Sequence, residues 1–319
     1  MEEKILNIFK KTPDDFVSGE EISHKLGISR AGIWKYIEKL REKGYDFTAT
    51  PHLGYKLSHA PDRLFSNELS FGLNTKIIGK NIIYYDVIDS TNTKCYELAE
   101  KNYPQGTVVV AEGQTKGKGR LSRSWISPRY KGIYFSVILK PDILPMQVSK
   151  ITLLAAVSVA SAVRALTQLP ALIKWPNDIL INNKKLCGIL TEMNAEADKV
   201  NFVILGIGIN VNAGINALPK GATSLSQEGA KDITRCQLAQ KIFQELESNY
   251  LSSKKEGFAP VIRKWRNYSS MLGSRVKVIS YSDKIEGQAI GVDEDGALII
   301  RLDNGFQKRI LAGDVEVLR

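Results

Sequence analysis

Between residues 61 and 271 the apolar pattern switches repeatedly from period two to period 3.6, and several period-two runs follow one another with no helical stretch between them. The predicted strands are 82–87, 106–111, 133–139, 172–175, 179–181, 186–193 and 200–211, and the predicted helices are 91–101, 148–167 and 235–251. A regular doubly wound sheet needs a helix after each strand, so this order restricts the segment to a mixed-sheet α+β domain. The last 48 residues are all β: runs 275–279, 284–292, 297–302 and 306–310 alternate and are joined by Asp295-Gly296 and Asn304-Gly305 turns. They predict a small β barrel, too short for chemistry of its own.

The first 60 residues differ from both. A short helix over 20–26 carries Ile22 and Leu26 on one face, Gly27-Ile28-Ser29 breaks it, and Ser29 can cap a second helix over 30–43. That helix aligns Ile33, Ile37 and Leu40, while Arg30, Lys35, Lys39, Arg41 and Lys43 lie largely elsewhere, which is helix-turn-helix spacing. Alternating residues 44–47 and 54–57 around Pro51-His52-Leu53 predict a β wing. The expected fold is therefore α+β and multidomain: a winged helix-turn-helix over 1–60, a mixed-sheet domain over 61–271 and a small barrel over 272–319.

Hydrophobic residues make up 43% and charged residues 24% of the chain, which excludes disordered and fibrous classes. The longest apolar stretch, 151–163, is interrupted by Thr152, Ser158 and Ser161 and falls short of the ~20 residues of a membrane span. The acidic start Met1-Glu2-Glu3 does not read as a secretory signal. Cys95, Cys187 and Cys236 are odd in number and far apart, which predicts free thiols in a reducing cytoplasm. His24, His52 and His59 all lie in the first 60 residues without metal-ligand spacing, so no protein metal cluster is expected. The formal net charge of +10 suggests an anionic partner, with nucleic acid the first candidate. Its distribution points elsewhere: residues 1–60 are net +1, residues 61–271 carry 27 basic and 17 acidic residues for a net of +10, and residues 272–319 are net −1.

Four local motifs carry chemistry. Gly113-Gln114-Thr115-Lys116-Gly117-Lys118-Gly119-Arg120-Leu121-Ser122-Arg123-Ser124-Trp125 lies in a stretch from Glu112 to Asp142 with seven cations and no acid between them. Glycines let backbone N–H groups approach an anion while Lys and Arg supply charge, so a phosphate-bearing ligand suits it. The spacing is one residue short of a P-loop, and Ser122 stands where a dinucleotide fingerprint needs its third glycine. A second segment, Lys174-Trp175-Pro176-Asn177-Asp178 with Lys184-Lys185-Leu186-Cys187-Gly188 after it, brings a lysine and an aspartate together near an apolar strand. Asp89-Ser90-Thr91-Asn92 joins a strand to a helix and combines an N-cap with neutral donors suited to a urea or amide head group. Gly206-Ile207-Gly208-Ile209-Asn210 places glycines in an apolar strand, where a ligand or another backbone can come close. Alone, the four define a nucleotide-using site of unspecified chemistry.

In this order, with the helix-turn-helix in front, they resemble the biotin–protein ligases over essentially the whole chain, and in particular the bifunctional members that also repress the biotin operon. The resemblance implies an enzyme that joins biotin to ATP as biotinyl-5′-adenylate and passes biotin to a lysine of a carrier domain. It implies that Ser90, Thr91, Asn92, Gln114 and Gly188 bind biotin, and that Lys118, Gly119 and Arg120 belong to a loop that closes over biotin and the adenylate. Lys185, Arg120 and Asp178 become the expected catalytic residues, with Mg2+ accompanying ATP near Asp178. Arg123, Trp125, Lys174, Asn177 and Asn210 fall on the ATP and adenylate side with Lys118, Arg120 and Lys185. Ser29, Arg30, Lys35 and Lys39 are the expected DNA contacts, on operator DNA. The partners implied are the biotin carboxyl carrier domain of acetyl-CoA carboxylase or a similar carboxylase and a second protomer on adenylate binding, with no membrane.

Lys118, Leu121 and Ser122 depart from the Arg, Arg and Gly usual at these loop positions, and Lys118 keeps charge but loses the bidentate fork. Cys187 stands where Ala is common and reads as a small buried residue. Two other readings fit part of the pattern: a lipoate–protein ligase, which usually lacks the helix-turn-helix and this loop, and a biotin-sensing transcription factor without turnover.

Overall fold

Ile22, Ile33, Ile37 and Leu40 fall on the inward faces of two helices and close the core of a first unit, Met1–Arg63, in the computed structural model of the chain. The structure describes residues 1–280 and 284–318; Tyr281, Ser282, Asp283 and Arg319 of the expected barrel segment lie outside the described residues. The first unit holds α1 (Glu2–Lys11), α2 (Gly19–Leu26), α3 (Arg30–Glu42) and the antiparallel hairpin β1 (Asp46–Thr50) and β2 (Gly54–His59). Ser18 Oγ accepts from Glu21 N at 3.0 Å to start α2, Gly27 ends it with a left-handed φ of 66°, and Ser29 Oγ accepts from Gly32 N at 3.2 Å to start α3. Helix α1 is absent from the sequence reading because nothing caps its start by side chain. Its amphipathic Ile5, Leu6 and Phe9 are nevertheless buried, with Phe9 edge-on to Phe47.

The second unit, Leu64–Arg319, is built on a seven-stranded sheet. Its elements are α4 (Ser66–Ser70), β3 (Ile82–Ile88), α5 (Thr91–Glu100), β4 (Val108–Gln114), β5 (Gly132–Leu139), α6 (Ser149–Thr167), β6 (Leu172–Lys174), β7 (Asp178–Ile181), β8 (Lys184–Ala195), β9 (Val200–Asn210), α7 (Arg235–Glu256) and α8 (Ala259–Tyr268). The strand order is β3-β4-β5-β9-β8-β7-β6; β3 and β4 are parallel and every other neighbouring pair is antiparallel, the mixed sheet that consecutive strands require. The helices α4 and α8, short and weakly marked, lie beyond the predicted set.

Side-chain alternation divides the sheet's two faces. Val108, Val110, Phe135, Val137, Val203 and Leu205 face α6 and α7, while Val109, Ile138, Phe202 and Ile204 face the smaller cluster of Cys95, Leu98 and Ala99 on α5. Helix α6 is long and apolar enough to cross a bilayer by length and composition, yet Ile151, Leu154, Val157 and Val163 are among its residues packed in this core. Strands β10 (Arg275–Ile279), β11 (Lys284–Val292), β12 (Leu298–Arg301), β13 (Gln307–Ile310) and β14 (Asp314–Val317) form an antiparallel sheet ordered β13-β12-β11-β10-β14. It belongs to the same compact unit as the central sheet, tied to it by Trp175 Nε1 donating to Gly296 O at 3.1 Å.

One buried ion pair joins the layers. Arg235 at the start of α7 lies 2.6 Å from Glu112 on β4, both fully buried; Arg235 also donates to Gly132 O, and Leu64 N donates to Glu112 at 2.9 Å. Removing one partner strands a buried charge, so Arg235→Met should cost about 3–5 kcal/mol, read as a lower urea midpoint; an unchanged midpoint would contradict this.

Candidate functional site

Period two places Gly206 and Gly208 of β9 on the same face as Phe202 and Ile204, beyond the end of the α5 cover. The adjacent strand β8 sets Gly188 opposite Gly208 and Leu190 opposite Gly206. The missing side chains leave a trough across the middle of the sheet. A Cβ on Gly206 would overlap Asn92, one on Gly208 would overlap the Trp125 indole, and one on Gly188 would lie 2.9 Å from Trp125 Cζ3. The glycines noticed in the sequence are therefore required by close approach of side chains from α5 and the 113–125 loop.

A cleft follows this trough and brings together Ser90, Thr91, Asn92, Gln114, Lys118, Gly119, Arg120, Arg123, Trp125, Asn177, Asp178, Lys185 and Gly188. Lys174 and Asn210 do not line it: Lys174, on β6, pairs in register with Asp178 of β7 from the outer side, and the buried Asn210 donates to Thr223 O at 3.0 Å. Seven lining residues lie outside the expected site set, among them Gly206, Gly208, Leu190 and Asp314. Gly206 and Gly208 were visible as glycines in a strand, Leu190 follows from alternation after Gly188, and Asp314, more than 120 positions downstream of most of the site, had no local signal.

The floor is polar and hydrogen-bonded within itself. Ser90 caps α5, accepting from Thr93 N at 3.4 Å, which turns the helix start and its partial positive charge towards the cleft. Gln114 Oε1 accepts from Thr91 N at 2.8 Å and Thr91 Oγ1 at 3.1 Å, and its Nε2 donates to Ser127 Oγ at 2.9 Å. Buried Ser136 on β5 reaches Asn92 Oδ1 at 2.6 Å and Thr91 Oγ1 at 2.8 Å.

The wall is charged. Lys185 Nζ lies 2.7 Å from Asp178 Oδ1 and 5.6 Å from the centre of the Trp125 ring, a pair made by facing strands of the β7–β8 hairpin, whose tip residues Asn182 and Asn183 have left-handed φ of 48° and 61°. Arg120 donates to Asn177 Oδ1 at 3.2 Å and to Gly313 O at 3.3 Å and lies 3.5 Å from Asp314, which also pairs with Arg123. Burial lowers the Arg120 guanidinium from its ordinary value, and Asp314 and Asp178 oppose that shift. Cys187 is buried, and desolvation, helped by Asp178, pushes its thiol far up, so it is an inert packing residue. In the first unit, Ser29, Arg30, Lys35 and Lys39 are all exposed along α3 and its cap.

A donor-rich neutral floor, a cationic loop and a lysine–aspartate pair make a site for a ligand with a neutral polar head and an anionic, phosphate-bearing end. Family models agree: residues 84–210 match the biotin/lipoate A/B protein ligase family, residues 2–56 an HTH domain, and residues 271–318 the biotin protein ligase C terminal domain. The chain is 41% identical to the bifunctional ligase/repressor BirA of Bacillus subtilis (strain 168), over 98% of this chain and 97% of that protein. It is 30% identical to BirA of Escherichia coli (strain K12), over 95% and 93% of the two chains. The structure of the biotin protein ligase from Aquifex aeolicus in complex with biotin and ATP superimposes with a TM-score of 0.65 at 33% identity, covering 75% of this chain and 99% of that one. The chain belongs to the biotin protein ligases, in their bifunctional ligase/repressor form.

Proposed function

We propose that this protein activates biotin with ATP to biotinyl-5′-adenylate and pyrophosphate, and then transfers biotin to a lysine of a biotin carboxyl carrier domain, of acetyl-CoA carboxylase or a similar carboxylase. The observation that carries this reading is the convergence of the partnered Thr91–Gln114–Asn92 floor with Arg120, Lys185 and Asp178 in one cleft. The ureido head of biotin is uncharged and suits the floor formed by Ser90, Thr91, Asn92 and Gln114. Its carboxylate must approach the α-phosphorus of ATP, where two anions meet. Lys185, with Lys118 and Arg120, offsets that repulsion and stabilises the charge that develops on the phosphoryl oxygens, while Gly119 leaves room for the loop backbone near the phosphate. Trp125, Asn177 and Arg123 lie on the nucleotide side; Lys174 and Asn210 are assigned there by the resemblance alone.

Asp178 and Asp314 are the carboxylates among the described lining residues, and Asp178 next to the Asn177 amide offers the hard oxygen donors that Mg2+ takes. A Mg2+ ion bound there would neutralise triphosphate charge. Histidine is absent from the described residues that line the cleft, so the carrier lysine loses its proton to water or to a carboxylate such as Asp178. The presence of Lys185, Arg120 and Asp178 favours turnover over biotin sensing alone.

The first unit acts as the DNA-binding part of a biotin-responsive repressor of biotin synthesis and transport genes, with Ser29, Arg30, Lys35 and Lys39 on operator DNA. One α3 helix is too small to specify a site, so two protomers joined on adenylate binding would read a pseudo-palindrome. The working boundaries are 1–60 for DNA binding, 61–271 for ligation and 272–319 for the C-terminal domain, in a cytoplasm that keeps the thiols reduced.

Incubation with biotin, radiolabelled ATP and a carrier domain tests the ligase reading: adenylate and labelled carrier should form only with biotin present, and no adenylate would overturn it. In that assay Lys185→Ala should slow adenylate formation by at least about 100-fold, and Asp178→Asn should slow transfer by about 100-fold; transfer at the wild-type rate in the Asn variant would remove Asp178 as the base. For the repressor half, Lys35→Ala should weaken operator binding and lower the slope of log affinity on log salt by about one, whereas an unchanged slope would take Lys35 off the phosphate backbone.

A further inference from the structure

The hydrogen bonds of the cleft floor diverge from Ser136, and one branch ends, through Asn92, on a carboxylate outside every motif. Glu192 lies on β8 two residues beyond Leu190 and opposite Ile204, so the alternation that sets Gly188 and Leu190 in the trough puts Glu192 on the same face. Its Oε2 accepts from Asn92 Nδ2 at 2.6 Å, and its Oε1 lies 3.4 Å from Lys118 Nζ in the loop. Each partner keeps part of its surface in solvent, at 44% for Lys118 and 32% for Glu192.

An ionised carboxylate only accepts, so Asn92 must turn its NH2 group to Glu192 and its Oδ1 to Ser136. The single Ser136 hydroxyl proton then points at Asn92 Oδ1 and Thr91 Oγ1, and the Thr91 hydroxyl proton goes to Gln114 Oε1. Reversing the Asn92 amide would set its oxygen against Glu192 and its NH2 against Ser136. Glu192 therefore fixes the Asn92 side of the floor and the Ser136 hydroxyl beside it, and through Lys118 it also holds the loop above it.

We propose that Glu192 is a positioning residue that couples the orientation of the biotin-head floor to closure of the 113–125 loop. This rests on the reading of the cleft as a biotin site. Asn92 also props the floor, since each end of its amide holds one protein partner and keeps one N–H and one lone pair for the ligand. Lys118, which replaces the usual arginine, needs a single point contact here, and a carboxylate at 3.4 Å supplies it without a bidentate fork.

The test measures the KM of biotin and of ATP, the kcat of adenylate formation and the dissociation rate of biotinyl-adenylate for Glu192→Leu, Glu192→Gln, Lys118→Leu and the Leu double variant. Glu192→Leu should raise the biotin KM and the adenylate dissociation rate about tenfold each, while the ATP KM moves less than about twofold. Lys118→Leu should speed adenylate dissociation, and the double variant should release adenylate more slowly than the product of the two single effects requires. Glu192→Gln keeps the volume and one acceptor oxygen; should the Leu variant fail to fold, Gln must still speed adenylate dissociation. Biotin KM and dissociation both within twofold of wild type, multiplicative losses in the double variant, or equal rises in the two KM values would each overturn the coupling. Wild-type protein that makes no adenylate would instead overturn the ligase reading and leave no biotin KM to compare.

Discussion

Two antiparallel strands whose glycines face each other decide where this protein can hold a ligand. Gly188 lies opposite Gly208, and Gly206 lies one alternation further along, opposite Leu190. Elsewhere on that face Phe202 and Ile204 fill the space beneath α5. Where the side chains stop, Asn92 descends from the helix start and Trp125 from the loop, so the sheet floor, the helix terminus and the loop meet at one place. A Cβ at any of the three glycines would displace one of those groups, which is why the site depends on them more than on any single charged residue.

Charge then acts on that geometry. The +10 of the chain resides in residues 61–271, and the loop's share is fastened at two ends. Arg120 and Arg123 reach Asp314 on β14, and Lys118 reaches Glu192 on β8. Half-exposed ion pairs of this kind contribute little to stability. Their effect is positional: they hold the loop's cations over the cleft. The C-terminal sheet, too small for chemistry alone, enters the site through Asp314 and Gly313 O.

Much of this was legible in the sequence, because the site is made of local motifs at strand ends. Ser29 and Ser90 cap the helices their patterns predicted, the Lys185–Asp178 pair follows from a tight β7–β8 hairpin, and the strand order follows from consecutive period-two runs. What escaped was non-local or weakly marked. Asp314 and Glu192 carry no motif, and their relevance comes from packing between segments far apart in the chain. Helix α1 lacks a side-chain cap, and α4 spans five residues. Lys174 and Asn210 sit within strong motifs, yet Lys174 lies on β6 at the end of the strand order and the Asn210 amide is tied to Thr223 O, so neither lines the cleft. A motif fixes residue types in order; how far each one lies from the cleft depends on strand order and on which groups hold its side chain.

The central claim is that biotin and nucleotide lie between the 113–125 loop and the glycine trough. Hydrogen exchange of the loop amides tests it most directly, above all Gly119 N and Trp125 N, which donate to Arg123 O at 2.7 Å and Gly117 O at 2.8 Å. With biotin and ATP together, exchange at these amides should slow by about tenfold or more, because opening the loop would then require releasing the ligand. Exchange unchanged in the loop, with protection appearing elsewhere in the ligase unit, would contradict that placement.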